Sequence, residues 1–217
     1  MFYMNNNITA GLILVSLLTT ASAFAQKDNA MSNKHLTGDP VAGKDKSRLC
    51  QGCHGEDGNS LVTLIPKIAG QDIAYISWQI HNFQAGIRTH QVMNDLATTV
   101  NDEDLADIAA YFASRNKMKG GNSAADNKIG RDLFLNGDTH RMIDACVNCH
   151  GKNGKGLEPN PSMFPVIGGQ HKDYLHRQLI NFKAGGRSNS PNGVMNVITK
   201  SLTDAELESL AEYISGQ

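Results

Sequence analysis

Two pentapeptides, Cys50-Gln51-Gly52-Cys53-His54 and Cys146-Val147-Asn148-Cys149-His150, contain all four cysteines of this 217-residue chain. Two thiols one helical turn apart can each form a thioether with one of the two vinyl groups of a porphyrin. The histidine that follows then lies beneath the iron as its proximal ligand, so the spacing reads as c-type haem attachment. A bare Cys-x-x-Cys would serve disulfide exchange or zinc instead. The adjoining His in both copies favours covalent haem, two groups per chain, with no thiol left for a disulfide.

The chemistry of such an iron depends on its other axial position. An open site permits binding of small molecules or peroxide chemistry, whereas a second strong ligand leaves electron transfer. Met93 and Met195 follow their histidines by 39 and 45 residues and occupy equivalent places in the chain. Met31 lies in the leading tail, Met118 beyond the last helix of the first half, Met142 ahead of Cys146, and Met163 in the loop after the second motif. None of these has a matched partner, so Met93 and Met195 are the distal candidates. His90 competes with Met93 for the first iron but has no counterpart near Met195, and it reads as a surface residue. His81, His140, His171 and His176 also lack counterparts. A thioether is a neutral, soft ligand that favours ferrous iron and gives a relatively high potential. Pro66 and Pro165 could each offer a carbonyl to the Nδ1–H of the preceding motif's histidine and so fix its ring. Arg88, Arg187, Tyr75, Tyr174, Gln71, Gln170 and Trp78 could bond to haem propionates or cover the haem edge.

The elements that position these residues repeat. The second motif lies 96 residues after the first, and Pro66–Gln71 matches Pro165–Gln170 at an offset of 99. Tyr75, Gln79, Asn82, Phe83, Ala85, Gly86 and Arg88 keep that offset with Tyr174, Gln178, Asn181, Phe182, Ala184, Gly185 and Arg187. Met93-Asn94 meets Met195-Asn196 at 102, after a three-residue insertion. A repeat of this length is a duplicated domain rather than a solenoid unit.

The closing segments put Leu105, Ile108, Ala109, Phe112 and Leu207, Leu210, Ala211, Ile214 at i, i+3, i+4, i+7, one apolar stripe each. Asn101 and Thr203 stand at helix starts, and Thr203-x-x-Glu206 is a capping-box pattern. Helices are also expected from about Asp72 to Ala85 and Lys172 to Ala184, ending at Gly86 and Gly185. The fold class is therefore all-α: two tandem helical domains from an internal duplication, each around one covalent haem. The expected division is 1–25 signal peptide, 26–38 tail, 39–115 first domain, 116–127 linker and 128–217 second domain. Each domain is small enough that the porphyrin must supply much of its apolar core.

Residues 1–25 read as a cleaved export signal, with an apolar run from Ile8 to Leu18 and the Ala23-Phe24-Ala25 cleavage pattern. The apolar run is shorter than the roughly 20 residues a membrane span needs. Export places the chain in the periplasm, where haem attachment takes place. The formal net charge of −1 excludes no partner by itself, and nothing in the chain suggests nucleic-acid binding, which would need a basic stripe.

The set CQGCHG, IPKIAGQ, AYISWQIHNFQAGIRT, Met93 and DEDLADIAAYFAS, repeated as CVNCHGKNGKG, FPVIGGQHKDYLHRQLINFKAGGRSN, Met195 and LTDAELESLAEYISG, resembles the dihaem cytochrome c4 family. The resemblance runs from about Asp39 to Gly216. It implies two class I cytochrome c domains related by a pseudo-twofold axis, with propionates facing across the interface. It also implies close crossings of first and last helices at Gly43 with Tyr111 and Gly130 with Tyr213. The implied function is a periplasmic electron carrier, soluble or loosely membrane-associated. Its redox partners would be a donor such as a quinol-oxidising complex and an acceptor such as a terminal oxidase. Two other classes compete: the cytochrome subunit of an enzyme such as a flavoprotein sulfide dehydrogenase, and a haem enzyme with a displaceable ligand.

Overall fold

Capped helix starts account for most of the architecture. In the computed structural model, which describes Met1 and residues 37–121, 127–157 and 163–217, ten α-helices run in two sets of five. The first set is α1 (Pro40–Lys46), α2 (Arg48–His54), α3 (Ile73–Gln84), α4 (Gln91–Ala97) and α5 (Asp102–Ala113). The second is α6 (Lys128–Asn136), α7 (Val147–His150), α8 (Lys172–Ala184), α9 (Val194–Lys200) and α10 (Asp204–Ser215). The signal-peptide segment and nearly all of the expected tail lie outside the described residues. Among the described residues the only strand-like pairing is an isolated bridge between Asp138 and Ile143.

Asp39, Asp72, Asn101 and Asn127 each accept a backbone N–H of the helix they start, removing one of the free donors at its first turn. Thr203 and Glu206 form the full reciprocal capping box at the start of α10. The stripes expected on α5 and α10 are both buried. α1 packs on α5 and α6 on α10, while α3 and α8 pack against the same two closing helices. These crossings need glycine. A Cβ on Gly43 would sit 2.0 Å from the Asp107 carbonyl oxygen, and one on Gly130 would sit 2.3 Å from that of Ser209. The Cβ atoms of Tyr111 and Tyr213 are the next neighbours, as the resemblance implied.

Two short helices were not foreseen: Met93 and Met195 lie on α4 and α9 rather than in open loop. The three-residue insertion before Met195 is a 3-10 turn, Pro191–Gly193, in which Asn192 and Gly193 take left-handed backbone angles. The nine extra residues between Gly130 and Cys146, compared with Gly43 and Cys50, extend α6 into a 3-10 turn at Thr139–Arg141. Arg141 pins that turn to both Asp138 and Glu206.

The chain leaving α5 does not hang free. Met118 is buried, the Gly120 N–H donates to the Gln217 carbonyl, and Lys155 Nζ donates to the carbonyls of Met118, Gly168 and Gln217. Its Gly, Asn and Lys composition carries no sign of this packing, which depends on a lysine more than thirty residues away.

Candidate haem-binding site

Each Cys-x-x-Cys-His motif is helical, and its histidine turns inward. His54 closes α2 and His150 closes α7, and both are buried. The Nδ1–H of His54 donates to the Pro66 carbonyl at 2.8 Å, and that of His150 to the Pro165 carbonyl at 2.9 Å. This is the ring-fixing contact expected from the proline spacing. It leaves Nε2 of each ring free for a ligand on the cavity side. Burial pushes both imidazoles below their ordinary pKa, and the proline carbonyl only partly offsets it. Both rings are therefore neutral at physiological pH, the form that binds a metal.

The Cys50 and Cys146 thiols sit in surroundings that raise rather than lower their pKa. Burial raises the Cys50 thiol, and it pushes Cys146 up to about 12. Thiol exchange and zinc binding need a lowered pKa and a thiolate, so these environments favour neither. Cys53 is exposed and Cys149 half-buried.

One cavity of about 670 Å³ is lined by all eight predicted site residues: Cys50, Cys53, His54, Met93, Cys146, Cys149, His150 and Met195. The side chains between them are mainly apolar, among them Ile76, Phe83, Ile108, Phe112, Leu175, Leu179, Phe182 and Ile214. Of the other candidate methionines, Met31 lies outside the described residues. Met142 is exposed, Met118 is buried with its sulfur accepting from Gln170 Nε2, and Met163 is a further residue of the cavity wall. His90 is the exposed N-cap of α4, and its backbone N–H donates to Asn94 Oδ1.

The residues following the methionines hold α4 and α9 in place. Asn94 Nδ2 donates to the carbonyls of Phe83 and Arg88, and Asn196 Nδ2 to those of Phe182 and Arg187. The repeat pairs Asn94 with Asn196, yet their role shows only once the end of α3 or α8 is seen to fold back onto them.

The residues read as propionate partners divide into two groups. Arg88 donates to Gln79 Oε1, Tyr174 Oη and Gln178 Oε1; Arg187 donates to Gln178 Oε1, Tyr75 Oη, Gln79 Oε1 and Asn189 Oδ1. Each arginine thus reaches the tyrosine of the opposite half. Among the described residues neither has a carboxylate partner, and Gln79 Nε2 is buried with no partner at all. Two guanidinium groups and an orphaned amide donor facing one cavity fit the acidic edge of a porphyrin. Gln71 and Gln170, which also line the cavity, use their amides on the backbone of the opposite half. Gln71 bonds both the N–H and the carbonyl of Val166, and Gln170 bonds those of Lys67. His171, which has no counterpart in the repeat, bonds through Nε2 to the Ser60 carbonyl of the other half.

Residues 129–217 match the family model described as Cytochrome c, and residues 45–112 match that of Cytochrome C oxidase, cbb3-type, subunit III. Cytochrome c4 of Pseudomonas aeruginosa is 39% identical over 207 residues, covering 94% of this chain and 98% of that protein. The chain belongs to the cytochrome c4 family. The crystal structure of reduced recombinant cytochrome c4 from Pseudomonas stutzeri superposes with a TM-score of 0.77 at 36% identity, covering 83% of this chain and 99% of that one. A protein of Stutzerimonas stutzeri named thiosulfate dehydrogenase electron acceptor is 33% identical, over 76% of this chain and 77% of its own length. As a cytochrome c4 relative the chain carries two covalently bound haem c groups, and the cavity, the neutral histidines and the guanidinium pair described above fit them. It is an electron-transfer protein that exchanges electrons with other redox proteins.

Proposed function

We propose that Cys50 and Cys53 hold one haem and Cys146 and Cys149 the other by thioethers. His54 with Met93, and His150 with Met195, are the axial ligand pairs. The observation that carries this reading is the pairing, on the wall of one cavity, of a neutral histidine fixed by a proline carbonyl with a methionine on a short helix pinned by asparagine. When bound, each haem supplies a one-electron ferric/ferrous couple. The protein keeps both axial positions filled, so the iron changes oxidation state with little rearrangement. The apolar wall keeps water away, Arg88 and Arg187 balance the propionate charge, and Gln79 Nε2 offers it a hydrogen bond.

The domain limits we propose are 39–115 and 128–217, joined by 116–127, with 1–25 removed on export and 26–38 left as a tail. The mature protein then works in the periplasm as a carrier between a donor such as a quinol-oxidising complex and an acceptor such as a terminal oxidase. Among the described residues no helix is long and apolar enough to cross a membrane. The relative named as an electron acceptor of thiosulfate dehydrogenase supports such a dehydrogenase as a second kind of donor.

Far-red absorption of the oxidised protein, where methionine–iron charge transfer appears, tests the ligand pairs. Both haems contribute in the wild type; Met93→Ala and Met195→Ala each remove one contribution, lower that haem's potential, and let the reduced protein bind carbon monoxide. A wild-type protein that binds carbon monoxide overturns the carrier reading. The mass of the secreted chain tests cleavage after Ala25.

A further inference from the structure

Each proximal histidine is hydrogen-bonded to a peptide group that is itself held from the other half of the molecule. The Pro66–Lys67 peptide accepts from His54 Nδ1–H through its carbonyl and donates its N–H to Gln170 Oε1 at 2.8 Å. The Pro165–Val166 peptide accepts from His150 Nδ1–H and donates its N–H to Gln71 Oε1 at 2.8 Å. The arrangement is reciprocal. Both glutamines are only 5% exposed, and their amide oxygens each accept a second backbone N–H, from His171 and from Asp72. Their Nε2 groups close the clasp on the carbonyls of Lys67 and Val166.

We propose that Gln71 and Gln170 are positioning residues that tune the haem of the opposite half through these crossed chains. The physical basis is cooperativity. A peptide whose N–H is donated to a good acceptor carries more negative charge on its carbonyl oxygen, and chained hydrogen bonds strengthen one another by about 10–30% per bond. The stronger carbonyl pulls harder on Nδ1–H, which makes Nε2 a better donor to iron and stabilises the ferric state. The low-dielectric surroundings of both glutamines enlarge the effect. Gln170 therefore lowers the potential of the haem at His54, and Gln71 lowers that of the haem at His150. A clasp of merely structural value would instead affect both halves alike. This inference rests on His54 and His150 being the proximal ligands.

The test uses the full haem-loaded protein with Gln170→Met and Gln71→Met, which keep side-chain volume and remove the amide. A redox titration followed by haem-methyl NMR resolves the two midpoints, and the His Nδ1–H resonances are read in the reduced protein. Gln170→Met is expected to raise the midpoint of the His54 haem and move the His54 Nδ1–H resonance upfield, leaving the His150 haem nearly unchanged. Gln71→Met gives the mirror result. Gln170→Glu keeps an acceptor for the Lys67 N–H and is expected to hold the His54 resonance at or downfield of its wild-type position; an upfield shift there overturns the proposal, even where the methionine variants fail to fold. Equal shifts at both haems, a shift only in the substituted half, or no shift overturn it as well. The far-red methionine signature, read on the same samples, separates these failures from an error in the ligand assignment.

Discussion

The asparagine after each distal methionine candidate ties a short helix to the chain that precedes it. Asn94 Nδ2 ties two carbonyls at the end of α3 at 2.7 and 2.9 Å, and its Oδ1 takes the His90 N–H that starts α4. Asn196 makes the two equivalent donations, but its Oδ1 is buried without a partner. Asn94→Ala removes this partner from two carbonyls and from the exposed His90 N–H, and the Phe83 carbonyl keeps the Gly86 N–H, so each lost hydrogen bond costs about 1 kcal/mol. We expect this variant to weaken the far-red methionine signal of the first haem and leave the second intact, with Asn196→Ala doing the reverse. Equal loss at both haems in either variant would show that the asparagines act on the whole molecule rather than on one methionine. Type and spacing made the buried motif histidines and the proline carbonyls that fix them readable, because ring fixation works over a short stretch of chain. The asparagines were visible only as a repeat.

At the scale of elements, the second half carries a device the first lacks. The nine-residue insert brings Arg141 onto Glu206, the third residue of α10 and half of its capping box. Arg141 beside Glu206 holds that carboxyl down to about 2, against an ordinary value of 4.5. Because the folded pKa is the lower one, the unfolded chain binds more protons between these values. The stabilisation is complete above about pH 4.5 and is lost as the pH falls toward about 2. Denaturant titrations across that range should show the second half weakening. Glu206→Gln keeps a capping-box side chain at this position but removes the charge facing Arg141, so it should flatten this dependence and cost up to about 1 kcal/mol at neutral pH through the lost ion pair. An unchanged acid profile in Glu206→Gln would refute the assignment. The capping box could be read from Thr203-x-x-Glu206, but Arg141 lies 65 residues from its partner. No local pattern marks such a pair.

For the whole molecule, the two apolar clusters are modest. One is built on Ile76, Ile108, Tyr111 and Phe112, the other on Leu133, Phe134, Leu207, Leu210 and Ile214. Between them lies the cavity of about 670 Å³, into which Arg88 and Arg187 bring charge with no carboxylate partner among the described residues. A small domain with so much of its interior given to a prosthetic group has little core left without it. The chain with all four cysteines replaced by serine, made without haem, should show a weak helical circular-dichroism signal and no cooperative melt. A sharp thermal transition in that protein would refute this.

The sequence by itself determined the chemistry of the two attachment sites, the duplication, the helical class and the capped closing helices. All of these rest on residue type at short spacing, or on similarity between two stretches of one chain. What only the tertiary structure decided is how the halves use each other. Gln71, Gln170, Arg88, Arg187 and His171 all bond across to the opposite half, over sequence separations of 86 to 112 residues. A hydrogen bond depends on where the chain returns in space, and a glutamine that will hold a neighbour's backbone looks the same in sequence as one that will face water.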